Sequence, residues 1–189
     1  MAQAAQNQIK IAFSGAPGVG KSTVVNELAK KIPANLTTAI VTDVARTLVK
    51  GGVKINGESE YEDYLAFLAV RFKDMLQATA DVMFYERTLL DVLVFMQLNG
   101  HASGWLEKLT RELVQWQLSQ FTIYFYIPIE FNAQNDGVRI ADPAVNRKVD
   151  EITLRLLKEY RPDFVTLTGS VEERVGQAYA KLNEKLRPR

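Results

Sequence analysis

Gly15-Ala16-Pro17-Gly18-Val19-Gly20-Lys21-Ser22 matches the pattern G-x-x-x-x-G-K-[ST] at every fixed position. Binding a triphosphate requires several backbone N–H donors converging on one concavity, and Gly15, Gly18 and Gly20 let the main chain approach without a Cβ in the way. Ile9-Lys10-Ile11-Ala12-Phe13-Ser14 reads as a short strand feeding this loop. The residues after Lys21 read as an amphipathic helix with Val24, Val25, Leu28, Ala29 and Ile32 on one face. That helix would aim its N-terminal N–H groups and positive dipole end at the phosphates. The expected cradle is Gly15, Ala16, Pro17, Gly18, Val19, Gly20, Lys21, Ser22 and Thr23. Lys21 would reach the β- and γ-phosphate oxygens and the Ser22 hydroxyl would ligate Mg²⁺.

The chain has 189 residues, 47% hydrophobic and 24% charged, which is ordinary globular composition and enough for one well-buried domain over residues 1–189, with its core in 8–180. A formal net charge of +1 disfavours a broad basic surface for nucleic acid, and so favours a small-molecule substrate. Without cysteine there is neither a disulfide framework nor a thiolate metal site, as befits a reducing cytoplasm. No apolar run approaches the length of a membrane span, and Met1 to Gln8 reads as a polar tail rather than a targeting segment. The expected location is cytoplasmic.

Strand and helix patterns alternate along the rest. Thr38 to Thr42 is a candidate strand ending at Asp43, followed by a helix over Val44 to Val49 that Gly51-Gly52 stops. Ser59 and Glu62 have capping-box spacing ahead of a long helix carrying Tyr61, Tyr64, Leu65, Leu68, Phe72, Met75 and Leu76. Asp81 to Glu86 is a nearly all-apolar strand followed by a helix through Leu98, and a further helix runs from Ser103 to Gln120. Phe121 to Ile127 is another buried-looking strand, the polar stretch from Glu130 to Asp142 a loop, and Pro143 the first residue of a helix. Phe164 to Leu167 gives a last strand. Gly169 makes the turn, and Ser170 with Glu173 repeats the capping spacing before a terminal helix. Such alternation implies βαβ units, a parallel sheet with helices on both faces, and a ligand beyond the carboxyl ends of the strands.

Those ends carry the remaining candidates. Glu86 closes an apolar strand, where a carboxylate either supports Mg²⁺ or caps the following helix. Arg87 would face the moving phosphoryl group, Asp43 would take or hold a substrate hydroxyl proton, and Arg46 would grip a substrate phosphate. Residues 129–142 form a candidate lid loop bearing Arg139, with Arg147 in the helix beyond it. Tyr61, Tyr64, Phe67, Phe72 and Phe95 are either base-stacking groups or core. His101, the single histidine, reads as structural or surface.

The Gly15 to Thr23 loop, Asp43-Val44-Ala45-Arg46, Glu86-Arg87-Thr88-Leu89-Leu90-Asp91 and Asp136-Gly137-Val138-Arg139 together resemble the P-loop nucleoside and nucleotide kinases. Ribosylnicotinamide-kinase-like proteins, the small AAA-type ATP-binding domains, are the nearer likeness and thymidylate kinase the more distant. The resemblance runs from Ile9 to about Ala178. It implies a three-layer α/β/α P-loop NTPase fold with a five-stranded parallel sheet of order 2-3-1-4-5. It also implies ATP and Mg²⁺, and transfer of the γ-phosphoryl group to a nucleoside hydroxyl or nucleotide phosphate. By the same resemblance Glu86-Arg87 falls on the family's acid-arginine pair, Asp43 on a substrate-hydroxyl carboxylate and Arg139 on a lid arginine. Glu86 stands where many relatives have Asp, and Asp43 where many have Glu. Expected partners are a small nucleoside or nucleotide and, as an open alternative, a second copy of the chain.

Two other functions share the loop. A regulatory AAA-type ATPase would want a second acid after Glu86 to activate water, and Arg87 stands there instead. A kinase acting on nucleic acid would want more net positive charge.

Overall fold

The computed structural model describes residues 8–42, 45–54, 59–77, 79–130 and 142–186, with the side chains of 45–47 and 76–77 left out of the description. Strand β1, Ile9–Ser14, takes the centre of a sheet because both of its faces are apolar. Ile11 and Phe13 enter one core and Ala12 the other, and all three are fully buried.

Strands β3, Val82–Glu86, and β4, Ile123–Tyr126, flank β1. Outside them lie β2, Thr38–Val41, and β5, Val165–Thr166. The order is β2-β3-β1-β4-β5 with every pair parallel, as expected. The register sets Phe13 of β1 beside Glu86 of β3 and Phe125 of β4, so the phosphate loop emerges level with Glu86.

Parallel strands need crossovers, and the helices cover both faces. On one face, α1, Lys21–Ala29, and α7, Val171–Leu186, bring Val24, Val25, Leu28, Val175, Ala178 and Leu182 onto Phe13, Phe84 and Phe125. The other face is covered by α3, Tyr61–Gln77, α4, Leu89–Leu98, α5, Gly104–Ser119, and α6, Pro143–Tyr160. A short helix, α2, Ala45–Lys50, follows β2. The length of α4 that is apolar all round is explained by its position. Leu89, Leu90, Val92, Leu93, Val94 and Met96 are all buried among neighbouring helices. Among the described residues no helix is long and apolar enough to cross a membrane.

Local signals resolve as follows. Pro143 is the first residue of α6, and Asp142 caps it by accepting from the Ala144 N–H at 2.7 Å. Ser170 and Glu173 form the expected reciprocal pair: the Glu173 carboxylate accepts from the Ser170 N–H at 2.7 Å and the Ser170 hydroxyl from the Glu173 N–H at 3.2 Å. The cap expected of Ser59 and Glu62 is shifted by one residue. Asp63 accepts from the Glu60 N–H at 2.8 Å and from the Lys54 N–H at 2.9 Å, while the Ser59 hydroxyl donates to the Lys54 carbonyl. A carboxylate that ties two segments displaces one that would serve a single N–H. Strands β4 and β5 are shorter than their apolar runs: Phe121, Ile127 and Leu167 are buried beyond the strand ends, although the Ile127 N–H still donates to the Ser14 carbonyl at 2.9 Å and the Leu167 N–H to the Tyr126 carbonyl at 2.8 Å.

Candidate active site

The phosphate loop is shaped by backbone constraints. Gly15, Gly18 and Gly20 have φ of +147°, +81° and +90°, a region that penalises a side chain. A Cβ on Gly15 would also lie 2.3 Å from the Ile127 carbonyl oxygen at the end of β4, so only glycine lets the loop leave the sheet there. Gly20 is the N-cap of α1, and no side chain caps that helix terminus. Such a terminus suits an anion.

Lys21 is 5% exposed, and its ammonium donates to the carbonyls of Gly15 and Ala16 at 2.8 Å each, spanning the loop from inside. The Ser22 hydroxyl donates to the Glu86 carboxylate. The loop and the end of β3 therefore meet through an oxygen pair. Among the described residues no cluster of three or more His, Cys, Asp or Glu could hold a metal. A hydroxyl and one carboxylate suit Mg²⁺, which keeps several waters and shares its coordination with phosphate oxygens.

Glu86 does not cap the next helix; Thr88 does. The Thr88 hydroxyl accepts from the Leu90 N–H at 3.2 Å and the Asp91 carboxylate accepts from the Thr88 N–H at 2.8 Å, a complete capping box. Between them, Arg87 is the one non-glycine residue with positive φ among those described, at +70°. Such a conformation costs about 1 kcal/mol or more. It turns the chain out of β3 and sends the Arg87 guanidinium along α4, 3.0 Å from Asp91 and 6.0 Å from the centre of the Phe95 ring. Arg87 is buried, not a surface arginine.

Three supports were not singled out from sequence. Arg71 of α3, 2% exposed, donates to the Thr42 carbonyl at 3.0 Å and the Glu86 carbonyl at 2.9 Å, fastening the ends of β2 and β3 together. The Tyr124 hydroxyl bonds Ser14 at 2.7 Å and Thr88 at 2.9 Å, joining the root of the loop to the α4 cap. Burial pushes its phenol well above the usual range, so it stays a hydroxyl. Asp150 of α6 hydrogen-bonds Tyr126 and the Ile129 N–H and lies in the field of Lys21; burial raises its carboxyl despite all three. Only the i,i+3 and i,i+4 spacing of α6 marks Asp150 as inward-facing, beside Val149 and Thr153, and nothing local marks Arg71 or Tyr124.

Gly15 through Thr23, with Lys21 and Ser22, and Glu86 thus gather at the carboxyl ends of β1 and β3, while Arg87 leaves the same end of β3 with its guanidinium turned along α4 onto Asp91. Asp43 and Arg139 lie outside the described residues, as does the candidate lid loop over 131–141; Arg46 falls in α2, with its side chain likewise outside the description. Arg147 is exposed on α6. Of the aromatic candidates, Tyr64 is a buried core residue, and half-buried Phe72 stacks at 5.8 Å on the exposed Trp116. Phe95 lies under Arg87. His101 is structural: it stacks on Tyr61 at 5.5 Å, and its Nδ1 lies 3.3 Å from the Tyr64 hydroxyl.

Residues 10–174 match the family model described as an AAA domain. No curated protein matches the sequence. Several solved structures share the fold. Deoxyadenosine kinase from M. mycoides, with products dCMP and dCDP bound, aligns at a TM-score of 0.64 and 17% identity over 94% of this chain and 100% of its own. Thymidylate kinase from Candida albicans aligns at 0.65 and 13% identity over 94% of this chain and 92% of its own. NadR in complex with NAD and AMP-PNP aligns at 0.73 and 15% identity over 96% of this chain, which spans 51% of NadR. With its family model covering nearly the whole sheet and its strand order that of the P-loop kinases, the chain belongs to the AAA-domain family and carries the nucleoside and nucleotide kinase-like P-loop fold.

Proposed function

We propose that the protein is an ATP-dependent phosphotransferase acting on a nucleoside hydroxyl or a nucleoside monophosphate. The observation that carries this reading is the meeting of Ser22 with Glu86 beside a loop whose lysine already spans it. Phosphoryl transfer needs a phosphate cradle, a divalent cation and little covalent help from the protein, and this corner supplies the first and a donor pair for the second.

In this reading an acceptor oxygen attacks the γ-phosphorus of ATP, the bond to the β–γ bridging oxygen breaks, and ADP departs. Lys21 and the loop amides from Gly15 to Thr23 hold the β- and γ-phosphates, and Ser22 with Glu86 would hold Mg²⁺, which neutralises charge on the phosphates. Arg87 is assigned to charge on the transferring group, Asp43 to the acceptor's proton, Arg46 to an acceptor phosphate, and Arg139 to closure over the triphosphate. The last three rest on sequence position alone. The neighbours named above act on or bind nucleosides and nucleotides, which supports the same acceptor class. The lack of cysteine suits a reducing cytoplasm.

A panel of nucleosides and nucleoside monophosphates, with ATP consumption and product mass as readouts, tests this directly. ATP turnover should be slow alone and rise sharply with one member of the panel, yielding that compound plus one phosphoryl group. Turnover indifferent to the panel but stimulated by DNA or by a protein would overturn it in favour of a nucleic-acid kinase or a regulatory ATPase.

A further inference from the structure

Arg174 lies on α7, far from the loop in sequence, yet its buried guanidinium joins three segments. It is 3% exposed. One terminal nitrogen donates to the Val19 carbonyl of the phosphate loop at 2.8 Å, and the other pairs with the Glu130 carboxylate beyond β4 at 2.7 Å. The same Glu130 oxygen accepts the Gly169 N–H, at 2.8 Å, from the turn between β5 and α7. Arg174 and then Gly169 hold the Glu130 carboxyl below its usual range, which keeps it charged as the counter-ion.

Peptide geometry gives the Val19 contact a consequence. The chain has no cis peptide among the described residues, so the Val19 C=O and the Gly20 N–H point to opposite sides of one plane. Holding the carbonyl out toward α7 therefore aims the Gly20 N–H away from α7. Arg174 also lies against Gly20 itself, since a Cβ there would be in van der Waals contact with a guanidinium nitrogen at 3.8 Å. Backbone N–H direction is what a phosphate cradle works by, and a glycine at φ +90° does not fix it unaided.

We infer that Arg174 is a positioning residue for triphosphate binding: it presets the Val19–Gly20 peptide so that one loop amide faces the phosphates, with Glu130 fixing the guanidinium in turn. The inference rests on the phosphate-binding reading of the loop, and it has a readout that needs no nucleotide.

The test compares wild type with Arg174→Lys and Glu130→Gln, the first keeping charge but losing the two-pronged geometry, the second keeping shape but losing the counter-ion. In nucleotide-free protein the Gly20 amide resonance should shift in Arg174→Lys more than those of Gly100 or Gly104, glycines at the two ends of the α4–α5 connection. Calorimetric titration with Mg·ADP should then give about tenfold weaker binding for Arg174→Lys and a smaller loss for Glu130→Gln, as expected on losing a charge-assisted hydrogen bond. An unmoved Gly20 resonance, or folded variants that both bind Mg·ADP like wild type, would overturn the inference. Failure of the wild type to bind Mg·ADP would instead strike the proposed function, while the Gly20 resonance would still decide the role of Arg174.

Discussion

The two sides of the cleft are built by different means. On the phosphate side, the shape is set mainly by backbone, namely three glycines at positive φ, a helix terminus without a side-chain cap, and a lysine bonded to carbonyls five and six residues before it, with Arg174 adding a long-range bond at the Val19 carbonyl. On the β2–β3 side, shape is set by side chains arriving from elsewhere. Arg71 reaches Glu86 across 15 residues, and Tyr124 reaches Thr88 across 36. A site made of local backbone tolerates loss of a functional side chain without unfolding, whereas one made of long-range bonds to buried carbonyls does not.

Lys21→Ala gives the largest expected effect on this contrast. Removing the cation from the cradle should lower phosphoryl transfer at least about 100-fold, while the unfolding free energy changes by less than about 1 kcal/mol, since an ammonium is more strongly hydrated than a guanidinium and relief of its burial offsets the loss of its bonds to Gly15 and Ala16. Paired measurements of turnover and urea midpoint check it. Undiminished transfer would refute the cradle assignment, and a collapsed midpoint would refute the local character of this side.

The converse substitution is Arg71→Met, which keeps the aliphatic stem and removes the donors. Two carbonyls, those of Thr42 and Glu86, lose a charged partner in a residue that is 2% exposed. The expected cost is about 2–3 kcal/mol of stability, read as a lower urea midpoint with the slope unchanged. A midpoint shift smaller than that of Lys21→Ala would reverse the contrast.

The same division explains what could be read from the chain. The phosphate loop is legible because its physics lies within eight consecutive residues, and the strand order followed from the resemblance those residues opened. Glu86 was legible as an acid closing an apolar strand, but its choice between cap and metal support was not. The capping role depended on Thr88 and Asp91 being better placed, which only the turn at Arg87 decides. Arg71 and Tyr124 were illegible for a different reason. An arginine within an amphipathic helix and a tyrosine within an apolar strand look like ordinary surface and core residues until the partners that satisfy them are known. The shifted cap at Glu60 and Asp63 belongs to the same class, because Lys54 lies nine residues before Asp63 and recruits it.

Asp150 carries the smallest expected effect and is the finest probe of where the two modes of construction meet. It approaches the cradle from α6, with Tyr126, the Ile129 N–H and Lys21 favouring its charge and burial, reinforced by Glu151, opposing it; burial prevails and the carboxyl is raised. A buried Oδ1 without a hydrogen-bond partner is consistent with that outcome. A carboxyl raised on folding binds more protons in the native than in the unfolded state between its two pKa values, so its contribution to stability is complete below the unfolded value of about 4 and is lost as pH rises through the folded one. Asp150→Asn removes that loss while an amide oxygen still accepts from Tyr126 and Ile129. The variant should therefore gain stability relative to wild type as pH rises from 4 to 7, with the difference smallest at the acid end. Denaturant midpoints across that range measure it. A difference that stays flat with pH would mean that the Lys21 ammonium compensates the carboxylate fully, making Asp150 part of the cradle's charge balance rather than a buried group working against it.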